Sequence, residues 1–344
     1  MALLSVLWFL LAQHPAQLPP IGIIDFYGTG TLLQSELRNA LPFHEGQSLS
    51  ADVVERRRQL SEAVTALRKL SNVADAQVKA ICCDQNKIII YVGIQERGAS
   101  AMKFAVAPVG TSRLPQVVTE TAKQLDDALM LAVRSGNAEE DDSSGYALAK
   151  DPASRALQQR YVLFAEEYGD QLREVLHHSS DAEQRAEAAE VLGYSADKQS
   201  AVPDLLSAMH DPSDEVRNDA MRAMGVMARY AQANPSSHLK IPADGFVEML
   251  NSLDWTDRNK SSFALLGLSA ARDPALMTLL REQALPSLLE MAQWKSDGHA
   301  NAPFFILGRV VGLPEPEIDK AWESGPRSAV IEAAMKLENT RNAN

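Results

Sequence analysis

The sequence predicts an α+β protein: a small β-α-α-β-β domain followed by a mostly helical α-solenoid. Three observations predict it. First, one apolar helical pattern ending on glycine recurs through the second half, at DAEQRAEAAEVLG (181–193), DPSDEVRNDAMRAMG (211–225), DWTDRNKSSFALLG (254–267) and, more weakly, HANAPFFILG (299–308). The glycines follow one another at intervals of 32, 42 and 41 residues, a period that marks stacked helical repeats. Second, residues 20–98 lack this period and alternate short apolar runs with two helical patterns. Third, 46% of the 344 residues are hydrophobic and only two are cysteines, so the core is built by apolar packing and not by a disulfide framework.

The chain opens with MALLSVLWFLLAQHPAQLPP, whose apolar run from Ala2 to Ala12 has the length of a secretory signal and is too short to cross a bilayer. No Lys or Arg precedes the run and no clean small-x-small cleavage site follows it. Residues 1–19 are read as a signal-like segment, which places the mature chain in the periplasm or outside the cell. No other run is long enough for an integral membrane span. The formal charge of −12 argues against a nucleic-acid protein, because neutralising phosphates needs clustered Lys and Arg.

In residues 20–98, IGIIDFYG (21–28) reads as a first strand and LLQSELRNAL (32–41) as a helix. Ser50 is placed to cap a second helix that Val53, Val54, Leu60, Val64, Leu67 and Leu70 carry forward. AQVKAICC (76–83) alternates, the turn Asp84-Gln85-Asn86-Lys87 follows, and IIIYVGI (88–94) is apolar on both faces, as a central strand should be. The alternation sends Val78, Ala80 and Cys82 toward the helices, and Gln77, Lys79, Ile81 and Cys83 to the open face. An edge strand leaves backbone N–H and C=O groups free to pair with an added peptide, so Gln77, Lys79, Ile81 and Cys83 are the candidate partner-binding residues.

The wording LPFHEGQSLS (41–50), ALRKLSNVADAQV (66–78) and IIIYVGIQERG (88–98) resembles a POTRA domain, with Gly46, Leu49, Ser50, Leu67, Val73, Val78 and Glu96 in the places of that pattern. Val73 stands where an aromatic is usual. The resemblance implies a location outside the cytoplasm, association with envelope assembly or secretion machinery, and protein recognition by strand pairing.

Residues 99–151 form a connector. LPQVVTETAKQLDDALMLAVRSG (114–136) reads as one amphipathic helix with Val117, Val118, Leu125, Leu129 and Val133 on one side and Gly136 as its stop. The acidic run Glu139 to Asp142 reads as an exposed loop. It lacks the alternating ligands and later bidentate Glu of a calcium loop.

From residue 152 on, helices pair. Residues 155–178 read as one helix before the first unit, and 200–209, 244–253 and 285–294 as the second helices. The units resemble HEAT repeats of the short bacterial type, D-x-x-x-x-V-R-x-x-A-x-x-A-L-G. Asp211, Val216, Arg217, Ala220, Ala223 and Gly225 match, as do Asp181, Arg185, Ala188 and Gly193. The third unit places Asn259 where Arg is expected, just after Arg258. The fourth has Ala300 there, and Pro303 is expected to delay that helix to about Asn301. The resemblance implies that Asp181, Arg185, Asp211 and Arg217 belong to a structural ladder between neighbouring repeats.

No P-loop, GxGxxG, GxSxG, HExxH or CxxC spacing occurs, so neither a metal, a cofactor nor an enzymatic activity is expected. The functional expectation is an exported protein–protein interaction scaffold. HEAT-like repeats of this type also resemble those of phycobilin lyases, which is the alternative. A non-binding structural spacer is the third reading.

Overall fold

The computed structural model describes residues 18–342. The signal-like reading of the first residues therefore falls almost wholly outside the described part. The chain divides into two compact units between Ala99 and Ser100.

The first unit runs β1 (Ile21–Tyr27), α1 (Gln34–Ala40), α2 (Val53–Arg68), β2 (Val73–Asp84) and β3 (Lys87–Glu96). The sheet order is β1-β3-β2, with β3 parallel to β1 and antiparallel to β2. Ile88, Ile89, Ile90, Tyr91 and Val92 of β3 are buried on both faces, which is why that strand carries no alternation. Ile24, Leu37, Ala63, Leu67, Val78 and Ile90 form the core between the sheet and the helices. Asp52, and not Ser50, caps α2 by accepting from the Glu55 amide. The Ser50 hydroxyl instead accepts from the Asp52 amide, which fixes the approach to the cap.

The second unit begins with an extended stretch and α3 (Gln116–Arg134), then a short hairpin of β4 (Glu140–Asp141) and β5 (Leu148–Ala149). Gly136 follows α3 with φ +75, the left-handed stop that glycine allows. Val118, Thr121, Leu125 and Ala132 are the buried side of α3, whereas Val133 is 62% exposed. The apolar stripe thus turns away from Val133 in the last turn.

Helix pairs follow: α4 (Pro152–Glu167), α5 (Gly169–His178), α6 (Ala182–Leu192), α7 (Lys198–Ala208), α8 (Asp214–Ala233), α9 (Asp244–Met249), α10 (Trp255–Leu268), α11 (Pro274–Gln283), α12 (Leu285–Met291), α13 (Asp297–Val310), α14 (Glu315–Glu323) and α15 (Ser328–Asn342). α6, α8, α10 and α13 stack successively as one layer. The single helix expected over 155–178 breaks at Tyr168, so α4 and α5 are separate. Pro303 does not delay α13, which starts at Asp297 behind Ser296 and carries the proline inside. The proline removes one backbone N–H and crowds the carbonyl four residues earlier, and the burial of Phe304, Ile306 and Leu307 around it offsets that cost.

The recurring glycines have another role than the one their position suggests. Gly193 ends α6, but Gly225, Gly267 and Gly308 lie inside α8, α10 and α13, and none of the four has positive φ. At two of them a neighbour comes close. A Cβ on Gly193 would lie 2.7 Å from the Ala223 Cβ, and one on Gly308 would lie 2.7 Å from Ile318. These are packing glycines. No described helix is long and apolar enough to cross a membrane.

Candidate functional site

The arginine ladder sets the register of the repeats. Arg185, Arg217 and Arg258 each donate to the carbonyl six positions earlier, at Ser179 (2.8 Å), Asp211 (2.9 Å) and Ser252 (2.6 Å). Each arginine then reaches into the next repeat. Arg185 forks onto Asp211 with two 2.8 Å bonds. Arg217 meets both oxygens of Asp257 at 3.0 and 3.1 Å, and Arg258 reaches Glu290 at 3.4 Å. Arg185, Arg217, Arg258, Asp211 and Asp257 are all buried. Burial pushes the Asp257 carboxyl up to about 6, against the pull of Arg217.

Two expectations shift by this register. Asp181 is no rung: it caps α6 by accepting from the Glu183 and Gln184 amides and lies 3.3 Å from Arg113. The third arginine is Arg258, one residue earlier than the expected Asn259. Its signal in the sequence is the guanidinium itself, which in this part of the third unit only Arg258 carries. Ala300 is buried in the fourth repeat and offers no guanidinium.

Along this ladder lies a segment of the chain itself. The Ala105 amide donates to the His210 carbonyl at 2.7 Å, and the Gly110 amide to the His178 carbonyl at 2.8 Å; the Ser180 amide returns a 2.8 Å bond to the Gly110 carbonyl. His178 and His210 occupy the same place in their repeats, seven residues before Arg185 and Arg217. Five residues of extended chain therefore span one repeat. The Phe104 ring lies 3.9 Å from the Arg217 guanidinium carbon, a cation–π contact on a buried arginine. Gly110 is required there: a Cβ would come within 2.4 Å of the His178 oxygen. Val106 and Val109 point outward, 92% and 91% exposed. This docking has no sequence signature, since a lone irregular segment has no periodicity and its partners are loop carbonyls.

The acidic run is not a free loop. Lys150 holds Glu139 at 2.5 Å, and Arg155 holds Asp141 at 3.2 Å. Arg222 pairs with Glu140 and Arg229 with Asp142, both from α8. Beside this rim, the layer faces of α6 and α8 carry crowded carboxylates. Burial, with Asp219 adding repulsion, pushes Glu190 up to about 8. Burial pushes Glu187 and Asp219 each up to about 7. No cluster of His, Cys, Asp and Glu among the described residues could hold a metal ion.

In the first unit, β2 is an edge strand. Gln77, Lys79 and Ile81 are half-buried along it, and Ala76 and Val78 face the core. The two cysteines depart from the alternation. The register slips between Ile81 and Asp84, so Cys82 and Cys83 sit in a bulge, both exposed. Cys82 does not point at the helices, and Cys83 is not a free thiol, because the two are bonded to each other. Trp294 and Phe304 are both buried; His299 stacks edge-on to Trp255 at 4.9 Å.

Residues 169–237 match the family model of HEAT repeats. Among solved structures, the chain resembles computationally designed armadillo repeat proteins for modular peptide recognition, with 13% identity over 64% of this chain and 99% of that one and a TM-score of 0.35. It also resembles a designed armadillo repeat protein in complex with the peptide (KR)4, with 15% identity over 66% of this chain and 99% of that one and a TM-score of 0.36. No curated protein matches the sequence. The chain from α5 to the end of α8 is thus similar to HEAT repeats, within a helical repeat solenoid behind a small sheet unit.

Proposed function

We propose that this chain is a non-catalytic interaction scaffold that holds an extended stretch of a partner polypeptide along the loop edge of its repeats. One observation carries the reading: the loop carbonyls of His178 and His210 already accept backbone amides from the chain's own residues 105 and 110. The next equivalent position is Asn251, seven residues before Arg258 and exposed, where a partner strand meets the same type of acceptor. The open edge of β2, with Gln77, Lys79, Ile81 and the bulge at Cys83, is the second place for strand addition. The signal-like opening and the POTRA-like wording favour an exported chain in envelope assembly or secretion. Neither a bilin lyase nor a bare spacer has a comparable observation behind it.

The test is site-specific photocrosslinking in the producing cells, followed by fractionation. A photoreactive residue at position 251 or 79 is expected to give a discrete polypeptide adduct in the envelope fraction, and one at Glu332 none. Absence of an adduct at both 251 and 79 contradicts the scaffold reading. Recovery only from the cytosol contradicts the export reading.

A further inference from the structure

Between α8 and α10 the second unit opens a cleft of about 690 Å3, the size of a site for a small ligand or a few peptide residues. Val226, Phe263 and Ala264 supply an apolar wall, and Arg222, Arg229, Lys260 and Arg309 supply the cations. Phe263 is 41% exposed there, whereas Trp255 and Phe304 of the same layer are buried. Two further groups point to a ligand. Asn259 lines the cleft, is 9% exposed, and its Oδ1 has no hydrogen-bond partner. Such an acceptor costs stability unless something donates to it. Lys260, half-buried, makes no hydrogen bond or close ion pair among the described residues, although Glu140 and Asp219 attract it from a distance, while Arg222 and Arg229 are engaged by Glu140 and Asp142.

The chain's own acidic run thus sits on the rim of the cleft and covers two of its four cations, while Arg309 is held by Glu315. It shows what the surface selects: carboxylates presented from an extended backbone. We propose that this cleft binds an acidic peptide segment with an apolar tip, belonging to a partner protein. A partner carboxylate pairs with Lys260, a peptide N–H donates to Asn259 Oδ1, and the apolar side chain lies on Phe263 and Val226. The inference rests on the scaffold reading and gives the partner a chemistry.

The test is fluorescence anisotropy on the full chain with a labelled hexapeptide of four acidic residues followed by leucine and phenylalanine. Saturable binding is expected, and Lys260→Gln weakens it about tenfold, the loss of one charge-assisted contact. Phe263→Ser weakens it as well, and both variants melt as the wild type does, since neither removes an internal bond. Absence of saturable binding overturns the proposal. So does unchanged affinity in both variants, equal affinity for a hexapeptide with lysines in place of the acids, or displacement by equimolar inorganic phosphate. In any of those cases a surviving adduct at position 251 leaves the scaffold intact. Absence of the adducts at both 251 and 79 in the wild type removes the scaffold itself.

Discussion

Arg185 has 2% of its surface exposed, and its partner Asp211 has 7%. A buried pair of this kind adds little over apolar packing, but breaking it strands a charge. Arg185→Ala is therefore expected to lose about 3–5 kcal/mol in urea unfolding, whereas replacing Arg185 by Met and Asp211 by Leu together restores most of it. Glycine substitutions separate two roles in the same way. Gly193→Ala drives a methyl into Ala223 and is expected to destabilise by about 1–3 kcal/mol. Gly225→Ala meets only ordinary contacts at 3.8 Å, so it gains about 0.5–1 kcal/mol of helix propensity. Thermal melts of the two variants should shift in opposite directions. The arginines at 185 and 217 were legible because the motif spells them. Arg258 is hidden in the motif because the third glycine lies nine residues after it, whereas Gly193 and Gly225 lie eight after Arg185 and Arg217. The bulge at Cys82 and Cys83 was illegible because alternation assumes an unbroken ladder.

At the scale of elements, helix existence was readable and helix ends were not. α8 runs on past Gly225 to Ala233 because Val226, Met227 and Ala228 continue its buried face. The face that α6 and α8 present to their neighbours carries a testable electrostatic load. Glu190 titrates near 8, against an ordinary 4.5, so the folded state holds its proton where the unfolded chain has released it. Stability is then lost as pH rises from about 4.5 through 8, and the melting temperature is expected to be higher at pH 6 than at pH 8. Glu190→Gln should reduce that difference, with Glu187 and Asp219 supplying the remainder, and raise the melt at pH 8. An unchanged slope in this variant contradicts the assignment. The paired acids Glu139 and Asp141 have carboxyls held below the usual range by Lys150 and by Ser143 and Arg155 respectively, so their contribution fails only at more acidic pH and does not mask the effect. Residues 100–115 are the element the sequence hid. Gly110→Val should lift this strap from the loop edge, because no side chain fits against the His178 oxygen. Trypsin cleavage after Lys103 and Arg113 is then expected to accelerate.

At the scale of the molecule, each helix pair leaves an apolar side that the next one covers, and the buried ladder ties the pairs in register. That organisation was visible in the sequence period. The connector was not: the boundary between compact units falls at Ala99 and Ser100, so the strap, α3 and the acidic hairpin all belong to the helical unit. Their attachments are made to backbone carbonyls and to arginines on α8, and such partners leave no trace in the segment's own composition. Those loop carbonyls, acting as acceptors for extended chain, are the basis of the proposed function. Residue-resolved hydrogen exchange tests it most directly. The amides of Ala105 and Gly110 should be protected well above those of Val106 and Val109 beside them, although none of the four lies in a helix or strand. Exchange of all four at one common, fast rate would contradict the account.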